Sequence, residues 1–136
     1  MTAPFTGGCL CGAVRYRGTA EPVMAGHCHC RDGQKSTGSA MSSLIAVPAD
    51  TLTVTGAPKY FSVKGESGKS VDRGFCPDCG SPVLSKVEAI PGVVFVKVGS
   101  LDDPGWFKPG FDIYTSSAQP WDHMDPAVAK FAKMPG

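Results

Sequence analysis

Apolar and polar residues alternate over short stretches of this chain, and turn residues separate those stretches. Within residues 12–17, large apolar residues alternate with arginines, a pattern that is typical of a half-buried strand. Short stretches bounded by turn residues or by the cysteine pairs predict further strands at residues 41–47, 51–55, 59–63, 71–75, 82–87, 93–98 and 111–115. The stretch 93–98 is almost wholly apolar, which predicts a central strand covered on both faces. The pattern therefore predicts a mainly β fold.

Turn and capping residues predict how some of these strands are connected. The Gly-Ala-Pro sequence at residues 56–58 lies between two strand candidates and predicts a hairpin turn. Residues 126–133 are predicted to form a short C-terminal helix, because Asp125 is a good N-cap and Pro126 suits the first helical position. The polar segment 30–38 fits either a loop or a short helical turn. Trp121 is expected to pack in the core.

Length and charge narrow the class of protein. The chain has 136 residues, and we expect residues 1–136 to form a single domain. Its net charge is +1, which gives no electrostatic reason to expect nucleic acid or an anionic membrane as a partner. No stretch approaches the roughly 20 apolar residues of a membrane span, and the N-terminal residues lack the features of a signal peptide. A cytoplasmic, reducing location is therefore expected.

Six cysteines in three close pairs carry the candidate chemistry. The pairs are Cys9 with Cys11, Cys28 with Cys30, and Cys76 with Cys79. Sulfurs one or two residues apart can chelate a soft metal ion, and structural zinc is most often held by four thiolates in a tetrahedron. A disulfide framework is the alternative, but such close pairs are poor disulfide partners and no export signal precedes them. The spacing favours metal binding.

The middle pair lies in a polar segment. Arg31 and Lys35 follow Cys28 and Cys30, and positive neighbours favour the reactive, metal-binding thiolate form. A catalytic zinc needs three protein ligands and one open position, whereas this segment supplies two obvious sulfurs. The candidates for a third ligand are His27, His29, Asp32 and His123. The two histidines that flank Cys28 are also candidates for orienting ligands or for proton transfer.

The three cysteine motifs, in this order, resemble the glutathione-dependent formaldehyde-activating enzyme family, which also includes centromere protein V. The resemblance extends from Gly7 to about Trp121. It implies a β-tent fold, in which short antiparallel sheets surround a structural zinc. It implies that Cys28 and Cys30 are the first two ligands of a second, catalytic zinc. The structural zinc ligands that it implies are Cys9, Cys11, Cys76 and Cys79.

The chain departs from the family's motif at one important position. The family's third catalytic ligand is a cysteine three residues after Cys30, and this chain has Gly33 there. Three explanations stay open, namely a natural divergence that abolished the second zinc, an engineered change, and replacement by another ligand. We expect the second site to be empty or partly occupied. Relatives also often carry a histidine where this chain has Asp112.

The resemblance implies a zinc-dependent carbon–sulfur lyase that acts on a thiol–aldehyde adduct such as S-(hydroxymethyl)glutathione. Its partner would be a small-molecule thiol, glutathione in particular, and Cys28 and Cys30 would be the catalytic residues that hold the metal. Because Gly33 removes one ligand, enzyme activity stays open for this chain. A zinc-stabilised binding module without catalysis is one alternative, and a redox thiol pair at Cys28 and Cys30 is another.

Overall fold

The chain folds mainly into short strands that form two sheets. The structure is a computed structural model that describes residues 3–135. Its strands are β1 (Phe5–Gly8), β2 (Arg15–Gly18), β3 (Met24–Cys28), β4 (Ser42–Pro48), β5 (Leu52–Thr55), β6 (Lys59–Lys64), β7 (Ser70–Phe75), β8 (Pro82–Val87), β9 (Val93–Lys97), β10 (Phe111–Ile113) and β11 (Ala129–Lys130). The described residues also contain one α-helix, α1 (Arg31–Thr37), and 3₁₀ turns at Ala49–Thr51, Val98–Ser100 and Thr115–Ser117. None of the helices in the described part of the chain is long and apolar enough to cross a membrane.

The strand order defines a small sheet and a large sheet. Within residues 3–135, the small sheet has the order β1-β2-β5 and the large sheet has the order β11-β10-β3-β4-β9-β8-β7-β6. Pairing is antiparallel throughout the small sheet and from β3 to β6 in the large one. At the other end of the large sheet, β10 runs parallel to both β3 and β11. The large sheet is therefore mixed.

The hydrophobic core lies between one face of the large sheet and the small sheet. Alternate residues of the central strands point into it, and the fully buried pair Ile45 and Val96 lie directly opposite each other on β4 and β9. Phe5 and Tyr16 close the core from the small sheet, where their rings meet edge to face. Residues at the intervening positions of the large sheet, such as Lys97, point to its opposite face.

Several sequence-based predictions are confirmed. The fold is mainly β, and β8 has the predicted bounds. The apolar strand β9 is central, between β4 and β8, and four of its five residues are buried. The polar segment after Cys30 forms the helix α1 rather than a loop.

The predicted C-terminal helix is wrong. The Asp125 side chain accepts a hydrogen bond from the Ala127 N–H at 2.9 Å, which makes a local turn instead of capping a helix. The chain then extends, and the Phe131 N–H donates to the Asp112 carbonyl at 2.9 Å beside β11. A helix of eight residues has little stability of its own, so pairing with the sheet prevails. Trp121, expected in the core, is 63% exposed.

The predicted hairpin at residues 56–58 is also wrong, because β5 and β6 belong to different sheets. The turn carries the chain from the small sheet to the large one. Gly56 has a φ of 85°, and a Cβ at this position would lie 2.1 Å from the Ala13 carbonyl oxygen. The crossing therefore requires a residue without a side chain.

We expect Gly56→Ala to destabilise the protein far more than Gly68→Ala. Gly68 has a similar φ of 83° but open space around its Cα, so its substitution costs about 1 kcal/mol of backbone strain. The clash with the Ala13 carbonyl should add at least about 2 kcal/mol at Gly56. Urea unfolding of the two variants measures the difference, and equal stabilities would contradict the close approach.

Candidate metal and ligand site

Two of the cysteine pairs come together in a single cluster. Ligand atoms of the four residues all lie within 4.8 Å of one another, so the cluster could hold a metal ion. The Cys9 and Cys11 sulfurs are 3.7 Å apart, and the Cys11 and Cys76 sulfurs are also 3.7 Å apart. Cys9 and Cys76 are buried in the core, whereas Cys11 is exposed. We call this group the four-cysteine cluster, and its members are Cys9, Cys11, Cys76 and Cys79.

Each half of the four-cysteine cluster is a tight turn that ends in a glycine. The Gly12 N–H donates to the Cys9 carbonyl at 3.2 Å, and the Gly80 N–H donates to the Cys76 carbonyl at 2.8 Å. Both glycines have a positive φ, 84° and 78°. That left-handed backbone folds the chain back beneath the sulfurs, and it favours glycine because other residues are strained there.

Hydrogen bonds favour the thiolate form of two cluster members. The Ser81 hydroxyl, 3.3 Å from the Cys79 sulfur, is the main cause that lowers the pKa of Cys79 to about 5. The Val14 N–H donates to the Cys9 sulfur at 3.2 Å and lowers the pKa of that thiol. Because the thiolate is the form that binds metals, both contacts suit the cluster to a metal ion.

The remaining pair lies where β3 passes into α1. Cys28 is the last residue of β3, and Cys30 is the N-cap of α1, with its sulfur 3.2 Å from the Gly33 N–H. A Cβ at position 33 would lie 3.2 Å from the Cys30 sulfur and 3.6 Å from the Ser42 Cβ. A side chain at position 33 would therefore start beside the Cys30 sulfur.

The two thiols of this pair differ in acidity. A hydrogen bond from the Cys28 thiol lowers the pKa of Cys30 to about 6, assisted by the Gly33 N–H and the Arg73 charge and opposed by burial. The same hydrogen bond, together with burial, raises the pKa of Cys28. The pair thus favours one thiolate next to one thiol.

His29, a candidate third ligand, already has hydrogen-bond partners at both ring nitrogens. It is 0% exposed, and its Nε2 lies 2.8 Å from Asp112 while its Nδ1 lies 2.6 Å from Asp122. Both ring nitrogens therefore lie within hydrogen-bond distance of a carboxyl oxygen, so neither is free to bind a metal. Lys130 lies 3.4 Å from Asp112 and joins the group from the exposed side. We call these four residues the His29 network.

The other candidates do not complete a second metal site either. His27 has its Nδ1 3.0 Å from the Ser43 hydroxyl, and His123 and Asp32 are exposed. Within residues 3–135, the four-cysteine cluster is the one group of three or more potential ligands that lie close enough to share an ion. Cys28 and Cys30 therefore stand as two thiols without a third protein ligand beside them.

A cavity of about 380 Å³ opens over Cys28 and Cys30. Its floor is the face of the large sheet that points away from the core, and α1 forms one side. An apolar wall is built from Val71, Val87, Ile90 and Phe95. Basic side chains also line it, namely Arg31, Arg73, Lys97 and Lys133. This size and mixed lining are typical of a small-molecule site.

Sequence reasoning pointed to Arg31 but missed the other basic residues of this cavity, namely Arg73, Lys97 and Lys133. Lys97 ends the apolar strand β9, is 8% exposed and donates to the Ser42 hydroxyl at 2.8 Å. Burial, with the Arg73 charge acting in the same direction, lowers the pKa of Lys97 to about 8, although the charges of Cys28 and Cys30 oppose this shift. The alternation of faces within β9 could have revealed that Lys97 lies on the cavity side. Phe95 and Lys97 share one face of the strand, and Val94 and Val96 share the other.

We expect Cys76→Ser to release a bound metal and unfold the protein, and Cys28→Ser to do neither. Cys76 is fully buried and belongs to the four-cysteine cluster, whereas Cys28 is half-buried and lies outside it. Metal content after gel filtration and thermal unfolding measure both effects. A Cys28→Ser variant that loses as much metal as Cys76→Ser would contradict this division.

We expect His29→Ala to lower the free energy of unfolding by about 3–5 kcal/mol, because it removes the hydrogen-bond partner that two buried aspartate side chains share. The matched control is His27→Ala, two residues earlier, whose ring is half-exposed and has a hydroxyl partner. The control should cost less than about 1 kcal/mol. Urea unfolding distinguishes them, and similar losses would rule out a special role for the His29 network.

Comparison with known proteins identifies the family. A model of the glutathione-dependent formaldehyde-activating enzymes matches residues 4–117. A Penicillium rubens protein provisionally named as such an enzyme is 32% identical over 139 residues, which cover 93% of this chain and 72% of the relative. A Phaeosphaeria nodorum protein of the same name is 29% identical and covers 95% of this chain and 74% of its own length.

A crystal structure of a Rhodobacter sphaeroides protein has the same fold. It matches with a TM-score of 0.59 over 93% of this chain and 98% of that one, at 18% sequence identity. This likeness bears on the fold alone. The match of the family model over residues 4–117 shows that the chain belongs to the glutathione-dependent formaldehyde-activating enzyme family.

Proposed function

We propose that the four-cysteine cluster holds one structural zinc ion. A tetrahedral zinc with bonds of about 2.3 Å places its sulfur ligands about 3.8 Å apart. The sulfur separations of 3.7 Å in the cluster fit that geometry. When bound, zinc would supply a redox-inert crosslink between two turns that are far apart in the sequence.

We further propose that the cavity over Cys28 and Cys30 binds a small thiol or a thiol–aldehyde adduct, such as S-(hydroxymethyl)glutathione. The observation that carries this proposal is the pair of half-buried thiols in a cavity lined by basic side chains. Glutathione carries carboxylates at both ends, which Arg31 and Arg73 can bind through paired hydrogen bonds. The apolar wall around Phe95 would exclude water from the sulfur end of the ligand.

The chemistry proposed for this site is that of a carbon–sulfur lyase impaired by Gly33. A catalytic zinc needs three protein ligands, and Cys28 and Cys30 supply two, so the residues present do not fit that ion. What the chain itself provides is binding and orientation. Arginine side chains would fix the carboxylates, and the Cys30 thiolate would lie next to the adduct.

A second candidate function is a zinc-stabilised module that binds a thiol ligand without turning it over. Gly33 favours it, because position 33, where a Cβ would lie 3.2 Å from the Cys30 sulfur, has no side chain that could add a third ligand. In this alternative the cavity and its basic lining are retained for binding. The two candidates differ in whether the site regains turnover when the missing thiol is restored.

We expect the natural chain to hold about one zinc ion and Gly33→Cys to hold about two. The new sulfur would start from a Cβ 3.2 Å from the Cys30 sulfur, which places it within reach of an ion shared by the pair. Ser36→Cys is the matched control, since it adds a thiol to the exposed side of the same helix. Elemental analysis of gel-filtered protein gives the zinc count, and an assay with the glutathione–formaldehyde adduct gives turnover.

The outcomes separate the candidates. Turnover by Gly33→Cys, absent from the natural chain and from Ser36→Cys, supports a lyase site disabled by one residue. A second zinc without turnover in any variant supports the binding module. Two tightly held zinc ions in the natural chain would overturn the claim that Gly33 breaks the second site.

A further inference from the structure

Lys97 is a buried amine whose partner is a hydroxyl group. Its Nζ donates to the Ser42 hydroxyl at 2.8 Å, and no carboxylate within residues 3–135 makes a salt bridge with it. Buried lysines are usually paired with an acidic group, because an isolated ammonium is costly to remove from water. A hydroxyl partner can accept from an ammonium but can equally serve a neutral amine. The site is therefore built to tolerate a neutral lysine.

Lys97 borders two spaces that are open to small molecules. Lys97 and Ser42 line the cavity of about 380 Å³ over the cysteine pair and also an open groove of about 780 Å³ that runs past Cys11. Lys97 thus lies at the boundary between the two spaces, although the residue is only 8% exposed. An electrophile would need to be small to reach it.

We propose that Lys97 captures small aldehydes by forming an imine with them in this cavity. The Nζ lone pair attacks the carbonyl carbon, and the carbonyl oxygen takes up a proton to give a carbinolamine. Loss of water, made from that hydroxyl and a second proton from nitrogen, leaves the carbon–nitrogen double bond. The Ser42 hydroxyl, hydrogen-bonded to Nζ, is placed to relay these protons. No oxidant, reductant or metal is required.

The surroundings of Lys97 support a nucleophilic amine. Its burial and the nearby Arg73 lower its pKa to about 8, and the charges of Cys28 and Cys30 reduce but do not reverse that shift. Desolvation and a neighbouring cation are the two general means by which proteins activate lysine toward carbonyl compounds. Arg31, Lys133 and the acidic Asp32 and Glu66 complete the charged lining of the cavity.

The inference rests on the proposed function for the substrate class, since both concern aldehydes at one cavity. It differs in needing neither a thiol substrate nor a second metal ion. A test with an aldehyde alone therefore addresses Lys97, whereas the zinc count and turnover of Gly33→Cys address the lyase. Either proposal can fail while the other holds.

The test is reductive trapping on the full chain as purified. The protein is treated at pH 7 with one equivalent of formaldehyde and sodium cyanoborohydride, which reduces an imine to a methylated amine. Peptide mass spectrometry then gives the rate of methylation at each lysine, with the exposed Lys108 as an internal reference. About 10% of an amine with a pKa near 8 is neutral at pH 7, against less than about 0.1% for an ordinary lysine. We expect Lys97 to react at least about tenfold faster than Lys108.

Lys97→Met serves as the matched variant, because it keeps the length and apolar stem of the side chain without the amine. It should lose the fast-reacting site while the exposed lysines react as before, and circular dichroism checks its fold. The measurement on the natural chain needs no variant. Methylation of Lys97 no faster than that of Lys108 would overturn the proposal.

Discussion

The four-cysteine cluster is the constraint on which the rest of this fold depends. It joins the turn after β1 to the turn between β7 and β8, and two of its sulfurs, 3.7 Å apart, belong to residues 65 positions apart in the chain. Cys9 and Cys76 are part of the hydrophobic core, so the cluster is continuous with the packing of the two sheets. The small sheet is thereby held against one face of the large sheet, and the opposite face remains available as the floor of a cavity.

Local pattern was enough to predict most strands but not which strands pair. The short apolar stretch that leads out of the Cys76–Cys79 turn gives β8 its bounds, because that information lies within the strand and its flanking turn. The partner of a strand is decided by residues far away, so β5 and β6, adjacent in sequence, enter different sheets. Two strands, β1 and β3, were not predicted, because they contain glycines, which are rare in strands. These glycines make room for large side chains of neighbouring strands, as Gly26 does for the Phe111 ring. The C-terminal helix failed for a similar reason, since pairing with β10 outweighs weak helical capping.

For the candidate site, too, features that lie close together in the sequence could be predicted, whereas contacts between distant residues could not. The spacing of the cysteines and the glycine at position 33 are local, and they could be interpreted from the sequence. The contacts of the His29 network could not be predicted, because its two aspartates lie 83 and 93 residues away from His29 in the sequence. Lys97 was concealed by its strand, whose apolar character predicted burial on both faces. One of those faces lines the cavity instead of the core. The buried Lys97 on that face can therefore contact a ligand, whereas a buried valine on the other face only packs in the core.

The His29 network explains why the loss of one ligand need not dismantle the site. His29 lies between Cys28 and Cys30 and is bonded on both sides to buried carboxylates, so the backbone that carries the two thiols is held without any metal. Helix α1 begins at Cys30, and its capping contact to the Gly33 N–H fixes position 33 against the same sulfur. A ligand restored at that position would meet two thiols already in place, and binding to a pre-organised site costs little ordering. The difference between a lyase and a binding module in this chain therefore lies in the chemistry of one side chain and not in the fold that surrounds it.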